Sequence, residues 1–225
     1  LSETKMTDNS YATARFNMVE QQVRPWDVID RRVLNVMETL PRENFVPDEY
    51  KGLAYADIAV PLDDSNHMLK PTLVGRMLQA LNIKPTDRIL EIGTGSGYVT
   101  ACLSHLGKSV TSIEISEEIA SHAADNLATI DASNVNLVVG DAFHQIPGNA
   151  PFDVIAITGA IADCQNILPK ALCDGGRLFI VTGESPVMQA ELVTRISGDN
   201  FKHEVLFETD IEPLQNAPAK EAFVF

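Results

Sequence analysis

Between residues 87 and 183, short apolar runs alternate with longer stretches in which apolar residues recur every three or four positions. The runs predict strands at Arg88–Ile92, Ser109–Ile113, Val135–Val139, Val154–Thr158 and Arg177–Thr182. The stretches predict helices at Tyr98–Leu106, Glu117–Ile130 and Gln165–Leu172. Four of the strands are nearly continuous apolar runs, as expected where helices cover both faces of a sheet. Alternation at this spacing predicts an α/β fold with a doubly wound, mostly parallel sheet.

The flanks have a different rhythm. A helix is predicted over Ala12–Val23, and a second over Asp27–Leu40, with Asp27 as N-cap and Pro41 as the stop. Ile58–Leu62 reads as a short strand, and Asp63-Asp64-Ser65-Asn66 as a turn. Pro71 suits the first turn of a helix carrying Met77, Leu78 and Leu81. After Gly183, Met188–Ile196 and Lys202–Thr209 read as two antiparallel strands joined across residues 197–200. The expected organisation is a flexible lead-in over 1–10 and one domain over 11–225. Within that domain residues 11–70 form an N-terminal helical cap with an active loop, 71–183 the core, and 184–225 a C-terminal antiparallel strand pair.

Composition narrows the function. With 45% hydrophobic residues among 225, the chain can bury a sizeable core. No apolar run approaches the ~20 residues that cross a bilayer, and Leu1–Ser10 lacks a secretory core. No membrane association is expected. The three cysteines, Cys102, Cys164 and Cys173, share no metal-ligand spacing. They read as reduced thiols of a cytoplasmic protein that binds no metal. A net charge of −14, with 17 Lys and Arg against 31 Asp and Glu, argues against a nucleic-acid partner. Oligomeric state is not set by the sequence.

The candidate chemistry sits where the predicted strands end, because open α/β sheets bind ligands beyond the carboxyl ends of their strands. The first strand runs into Leu90-Glu91-Ile92-Gly93-Thr94-Gly95-Ser96-Gly97-Tyr98. Glycines let the backbone turn sharply and let a ligand approach the main chain closely. A dinucleotide loop reads G-x-G-x-x-G, and neither register fits, because Tyr98 or Thr100 stands where the last glycine is required. The pattern is G-x-G-x-G with an acidic residue two places before it. Glu114 ends the second strand about 20 residues on, at the position where a carboxylate accepts ribose hydroxyls. Ser116 is available to cap the next helix, which leaves Glu114 for a ligand. Gly140-Asp141-Ala142 follows the third strand. There Asp141 either hydrogen-bonds a ligand or closes an Asx turn, and Ala142 offers a main-chain N–H beside it.

The glycine loop resembles the first motif of class I, Rossmann-like methyltransferases. That resemblance implies S-adenosylmethionine as cofactor, S-adenosylhomocysteine as product, and a cofactor site of Glu91, Gly93, Thr94, Gly95, Ser96, Gly97, Glu114, Ile115, Asp141, Ala142 and Thr158. A narrower resemblance is to the protein-L-isoaspartate (D-aspartate) O-methyltransferase family. It rests on Pro41-Arg42-Glu43-Asn44-Phe45-Val46-Pro47, on Tyr55–Leu62, on Leu90–Tyr98, on Gly175–Glu184, and on Glu212-Pro213-Leu214, which resembles the end of an "FVPL" segment. It covers roughly residues 17–214. It implies an enzyme that methylates the α-carboxyl of isoaspartyl residues in damaged proteins, an acceptor already ionised at neutral pH that needs no general base.

One segment departs from the pattern. The family's active loop reads T-I-S-Q-P, and here His67-Met68-Leu69-Lys70-Pro71 takes its place. Leu69 stands at the serine and can form no side-chain hydrogen bond. Thr72, Ser65 and His67 are the candidates to compensate, with Met68, Lys70, Pro213 and Leu214 on the substrate side. His67 is either a general base or a solvated loop residue. Arg24 and Trp26 either contact a peptide or pack the cap. Three functions remain compatible: the isoaspartyl enzyme, a methyltransferase of the same fold for another small-molecule or protein acceptor, and a cofactor-binding homologue without turnover.

Overall fold

The computed structural model describes residues 8–146, 150–162 and 168–218. Its strands are β1 (Val60–Pro61), β2 (His67–Met68), β3 (Arg88–Ile92), β4 (Ser109–Glu114), β5 (Val135–Val139), β6 (Phe152–Ile161), β7 (Leu172–Glu184), β8 (Val187–Ser197) and β9 (Asn200–Thr209). Its α-helices are α1 (Asp8–Met18), α2 (Arg31–Thr39), α3 (Pro71–Leu81), α4 (Tyr98–Leu106) and α5 (Glu117–Leu127).

Seven strands form one sheet in the order β5-β4-β3-β6-β7-β8-β9. From β5 to β7 all neighbours are parallel, and β8 and β9 add on antiparallel. The chain winds outward from β3 through β4 to β5, then returns to β3's other side with β6. The order therefore switches between β3 and β6, which opens a crevice at their carboxyl ends. Side chains alternate across the sheet. Ile89, Val154, Ala156, Phe179 and Val181 pack on the face that also receives the N-terminal helices and α4. Leu90, Ile92, Ile155, Ile157, Leu178 and Ile180 pack on the other. Burial on both faces is why these strands read as continuous apolar runs.

The five core strands and the C-terminal pair lie where the apolar pattern predicts, β6 and β7 running longer at both ends. Several predicted elements are corrected. The second cap helix starts at Arg31, not Asp27: Asp30 is the N-cap and accepts from the Arg32 N–H at 2.8 Å, while Asp27 adopts a left-handed conformation. Either aspartate could cap, and Gln79 of α3 decides, its carbonyl accepting from the Ile29 and Asp30 N–H groups. The first cap helix begins at Asp8 and ends in a π turn over Val19–Val23 that buries both valines. Only Val60–Pro61 of the predicted strand Ile58–Leu62 pairs, with His67–Met68, because the chain turns back when the Leu62 N–H meets the Asn66 carbonyl. The helix at Glu117 stops at Leu127. The helix predicted over Gln165–Leu172 is not formed at its described end. Pro169–Ala171 is a single 3₁₀ turn, and Leu172 opens β7 by pairing with Phe152. Sheet pairing there outweighs local periodicity. Residues 163–167, with Cys164, lie outside the described residues.

Candidate active site

The glycine loop leaves β3 at the switch point. Gly93, Gly95 and Gly97 all have positive φ, a conformation that only glycine adopts without strain. A methyl group on Gly93 would collide with the Thr158 hydroxyl of β6. That hydroxyl donates to the Ile92 carbonyl at 3.0 Å. Gly159 serves a second close approach: Leu214 lies within 2.9 Å of where its Cβ would stand. The Ala160 N–H donates to Glu212 and the Leu214 N–H to Ala160. The C-terminal segment is thereby pinned across the carboxyl end of β6.

Three neighbouring cavities, all lined in part by His67 and Leu69, surround these elements. The first encloses about 100 Å³. It is lined by Gly93, Gly95, Glu114, Ile115, Asp141, Ala142 and Thr158 on the sheet side, and by His67, Leu69, Pro213 and Leu214 on the other. The second, about 40 Å³, lies under the active loop between Met68, Leu69, Thr94 and Ser96. The third, about 340 Å³, lies beyond the loop and takes in Met68, Leu69, Lys70 and Pro213. Four of the predicted site residues line none of the three. Gly97 is the N-cap of α4. Ser65 is exposed and bonds Asp63. Thr72 is buried with its hydroxyl donated to Asp57 at 2.8 Å, so neither Ser65 nor Thr72 replaces the serine missing at Leu69. Glu91 is the fourth. Arg24 and Trp26 also stand outside these cavities, exposed at the cap, Arg24 paired with Glu20.

The two strand-end carboxylates have opposite settings. Glu114 is only 7% exposed and faces the first cavity. One of its oxygens accepts from the Gly95 N–H at 3.0 Å, and the other from Ser116 N–H at 3.2 Å. Ser116 does cap α5, its hydroxyl accepting from Ile119. Glu114 is therefore not idle: it ties the glycine loop to the end of β4. A carboxylate offers about four acceptor positions, and the remaining two can receive a pair of ribose hydroxyls. Asp141 likewise serves a turn and a cavity at once. It accepts from Phe143 N–H at 2.8 Å and from the Asn216 amide at 2.9 Å. These bonds, Asn216 foremost, hold its carboxyl below the usual range.

Glu91 points the other way, into the face covered by α4. It is fully buried, accepts from the Thr100 and Ser112 hydroxyls at 2.5 and 2.6 Å, and keeps one oxygen without a partner. Burial, assisted by the Glu114 charge, pushes its pKa up from 4.5 to about 8 against the two hydroxyls. The folded protein thus keeps a proton that the unfolded chain releases. Stability from this group is complete below about pH 4.5 and is lost as pH rises through about 8. Urea unfolding across that window should show a Glu91→Gln variant gaining on the wild type as pH rises. An unchanged difference would mean that Glu91 is ionised in the fold.

Sequence reasoning missed a buried cation. Arg42 is fully buried, donates to the Ala54 and Leu69 carbonyls at 2.9 Å each, and stacks on the Tyr98 ring at 4.6 Å. Arg42 and Tyr98 line the second cavity, and both Arg42 Nη1 and the Tyr98 hydroxyl lack a partner. Asn66 and Phe143 of the first cavity were missed as well. A turn residue and a phenylalanine carry no signal of their own until the fold brings them to the cleft. His67 borders all three cavities, and its Nδ1 stands 2.9 Å from Glu212 Oε1.

A glycine loop, a ribose-type carboxylate on the next strand and an Asp-Ala turn on the third, all at one sheet edge, define a Rossmann-like methyltransferase of the S-adenosylmethionine-dependent class. The model of the protein-L-isoaspartate (D-aspartate) O-methyltransferase family matches residues 15–216. A protein-L-isoaspartate O-methyltransferase of Koribacter versatilis is 37% identical over 204 residues, covering 91% of each chain. One of Opitutus terrae is 38% identical over 202 residues, covering 88% of this chain and 87% of its own. A Plasmodium falciparum structure named for the same enzyme, in complex with S-adenosyl-L-homocysteine, shares the fold. Its TM-score is 0.75 at 20% identity, over 91% of this chain and 98% of that one. The chain belongs to the protein-L-isoaspartate O-methyltransferase family.

Proposed function

We propose that this chain uses S-adenosylmethionine to methylate the α-carboxylate of isoaspartyl residues in damaged proteins. The observation that carries the reading is the first cavity, where the glycine loop, Glu114 and Asp141–Ala142 face the active loop and the C-terminal segment. The cavity suits the cofactor. Its glycine floor tolerates no side chain at Gly93, and Glu114 keeps acceptor positions free. When bound, the cofactor supplies an electrophilic methyl group on a sulfonium.

The chain's own residues would do the rest. Glu114 holds the ribose and Asp141 with Ala142 the adenine edge. Arg42 fixes the Leu69 carbonyl and with it the loop that faces the acceptor. No residue need remove a proton, because a peptide carboxylate is already charged. Rate then comes from alignment of oxygen, carbon and sulfur. Free Cys102 and Cys173 support a cytoplasmic setting. No described helix is long and apolar enough to cross a membrane.

Labelled methyl transfer to an isoaspartyl peptide, scored against its aspartyl twin, tests the proposal. The Leu69 side chain contributes to all three cavities without a polar atom. Leu69→Ser should raise kcat/KM on the isoaspartyl peptide by about 10-fold, the worth of one charge-assisted hydrogen bond, with cofactor affinity unmoved. If wild type and Leu69→Ser are both inactive while the cofactor binds tightly, the isoaspartyl acceptor is wrong.

A further inference from the structure

Transfer to a carboxylate leaves one element of the site without work. His67 and Glu212 come from segments 145 positions apart (212 less 67), meet at 2.9 Å, and both line the first and the third cavity. Both depart from the motifs that the rest of the chain follows: His67 stands at the threonine of T-I-S-Q-P, and Glu212 at the valine of FVPL. Two independent departures that touch each other form one device. Nδ1 of His67 is buried toward Glu212, slightly off the line of a hydrogen bond, and the ring as a whole is 26% exposed. A small ring rotation aligns Nδ1–H with the carboxylate and leaves Nε2 as the basic nitrogen. A carboxylate that orients an imidazole in this way is the arrangement of a general base.

The third cavity tells what such a base would meet. Its volume, about 340 Å³, lies within the range of small-molecule sites. Met68, Leu69, Leu73, Met188, Ile211 and Pro213 form the apolar part of its wall, and Ser185, Thr209, Asp210 and Glu212 add a polar part. The two methionines suit an aromatic ring, since thioethers pack favourably against ring edges. Leu69, which removes a contact useful to a carboxylate, adds to this wall. Lys70 is the lysine lining the cavity, facing the carboxylates of Asp210 and Glu212 across it. Imidazole can take a proton from a phenol, whose pKa is near 10.

We propose that the chain has a second methyl acceptor class, a small phenol seated in this cavity, with His67 as general base and Glu212 as its positioning residue. His67 Nε2 takes the phenolic proton as the phenol oxygen bonds to the methyl carbon. The carbon–sulfur bond breaks with its electron pair going to sulfur, which leaves a neutral thioether, a methyl ether and an imidazolium that passes its proton to water. The charged groups around His67 are Glu212 and Asp210 on the C-terminal segment, Lys70 on its own loop, Glu114 and Asp141 across the cofactor cavity, and Arg42 under the loop. This inference shares the cofactor site and the active loop with the isoaspartyl reading, and differs from it in the acceptor and in the need for a base.

The test is labelled methyl transfer to 4-ethylphenol at saturating cofactor, alongside the isoaspartyl peptide. The wild type should form the methyl ether. His67→Gln should lose about 100-fold or more in kcat, the lower range of general-base catalysis. Glu212→Gln should lose about 10-fold in kcat with little change in KM. Calorimetric binding of 4-ethylphenol to the S-adenosylhomocysteine complex, retained in His67→Gln, separates the loss of a base from loss of the cavity. No ether from the wild type, or an equal rate in His67→Gln, overturns the inference. Transfer to the peptide and not to the phenol would leave the isoaspartyl reading standing alone. Transfer to the phenol and not to the peptide would do the reverse.

Discussion

Replacing Glu114 with alanine is expected to weaken S-adenosylhomocysteine binding by about 100-fold or more. A hydrogen bond to a charged group contributes roughly 1.5–3 kcal/mol, and the ribose offers two hydroxyls. Two such bonds amount to about 3–6 kcal/mol, at 1.4 kcal/mol per factor of ten. The variant also deprives the Gly95 N–H of its acceptor at 3.0 Å, so the glycine loop loses a tie to β4. Glu114→Gln should fall between: its single carbonyl oxygen can keep one ribose contact or the Gly95 bond. Titration calorimetry measures both, with thermal unfolding as the control for loop damage. Unchanged affinity in Glu114→Ala would remove this residue from the cofactor site.

The second large effect is expected at Arg42, on stability. Its guanidinium joins the cap to the active loop through Ala54 and Leu69 and stacks on Tyr98. Opposing these contacts is the cost of burying a charge completely with Nη1 unpaired. Burial accordingly lowers the guanidinium's pKa, while the neighbouring Tyr98, Cys102, Tyr55 and Asp57 raise it. The contacts should win. Two charge-assisted bonds at roughly 1.5–3 kcal/mol each and a desolvated cation–π contact of about 2 kcal/mol exceed the relief from discharging the site. Arg42→Ala also leaves two buried carbonyls without donors. A net loss of about 3 kcal/mol is expected, or roughly 10 °C in Tm for a chain of this size. Arg42→Lys should recover little, because an ammonium cannot span both carbonyls. If Arg42→Met unfolds at the wild-type temperature, the cost of burial cancels the contacts.

Much of the fold was legible because it is written locally. Core strands covered on both faces need unbroken apolar residues, and each such run became a strand of the sheet. The stop at Pro41 and the start at Pro71 follow from one missing N–H and a fixed φ. The errors fall where a local rule had two acceptable answers. Asp27 and Asp30 could each cap, and Gln79, some fifty positions away, selected Asp30. The stretch around Pro169–Leu172 had helical spacing, and pairing with Phe152 drew Leu172 into the sheet.

The site divides along the same line. The sequence by itself determined the glycine loop, since three positive-φ positions in five residues demand glycine. It determined too that Glu114 and Asp141 follow the second and third core strands, and both line the first cavity. Tertiary structure alone decided what each polar group faces. Glu91 and Glu114 are both acidic residues near the ends of neighbouring strands, yet α4 covers one and the cleft opens on the other. Thr72 was a candidate for the missing hydroxyl until Asp57 claimed it. Arg42 under the loop and Glu212 beside His67 carry no local signal at all. The reason is physical. Strand period and turn conformation are properties of a few consecutive residues. A hydrogen bond, an ion pair or a desolvation cost depends on what another segment brings, and that is known only once the chain has folded.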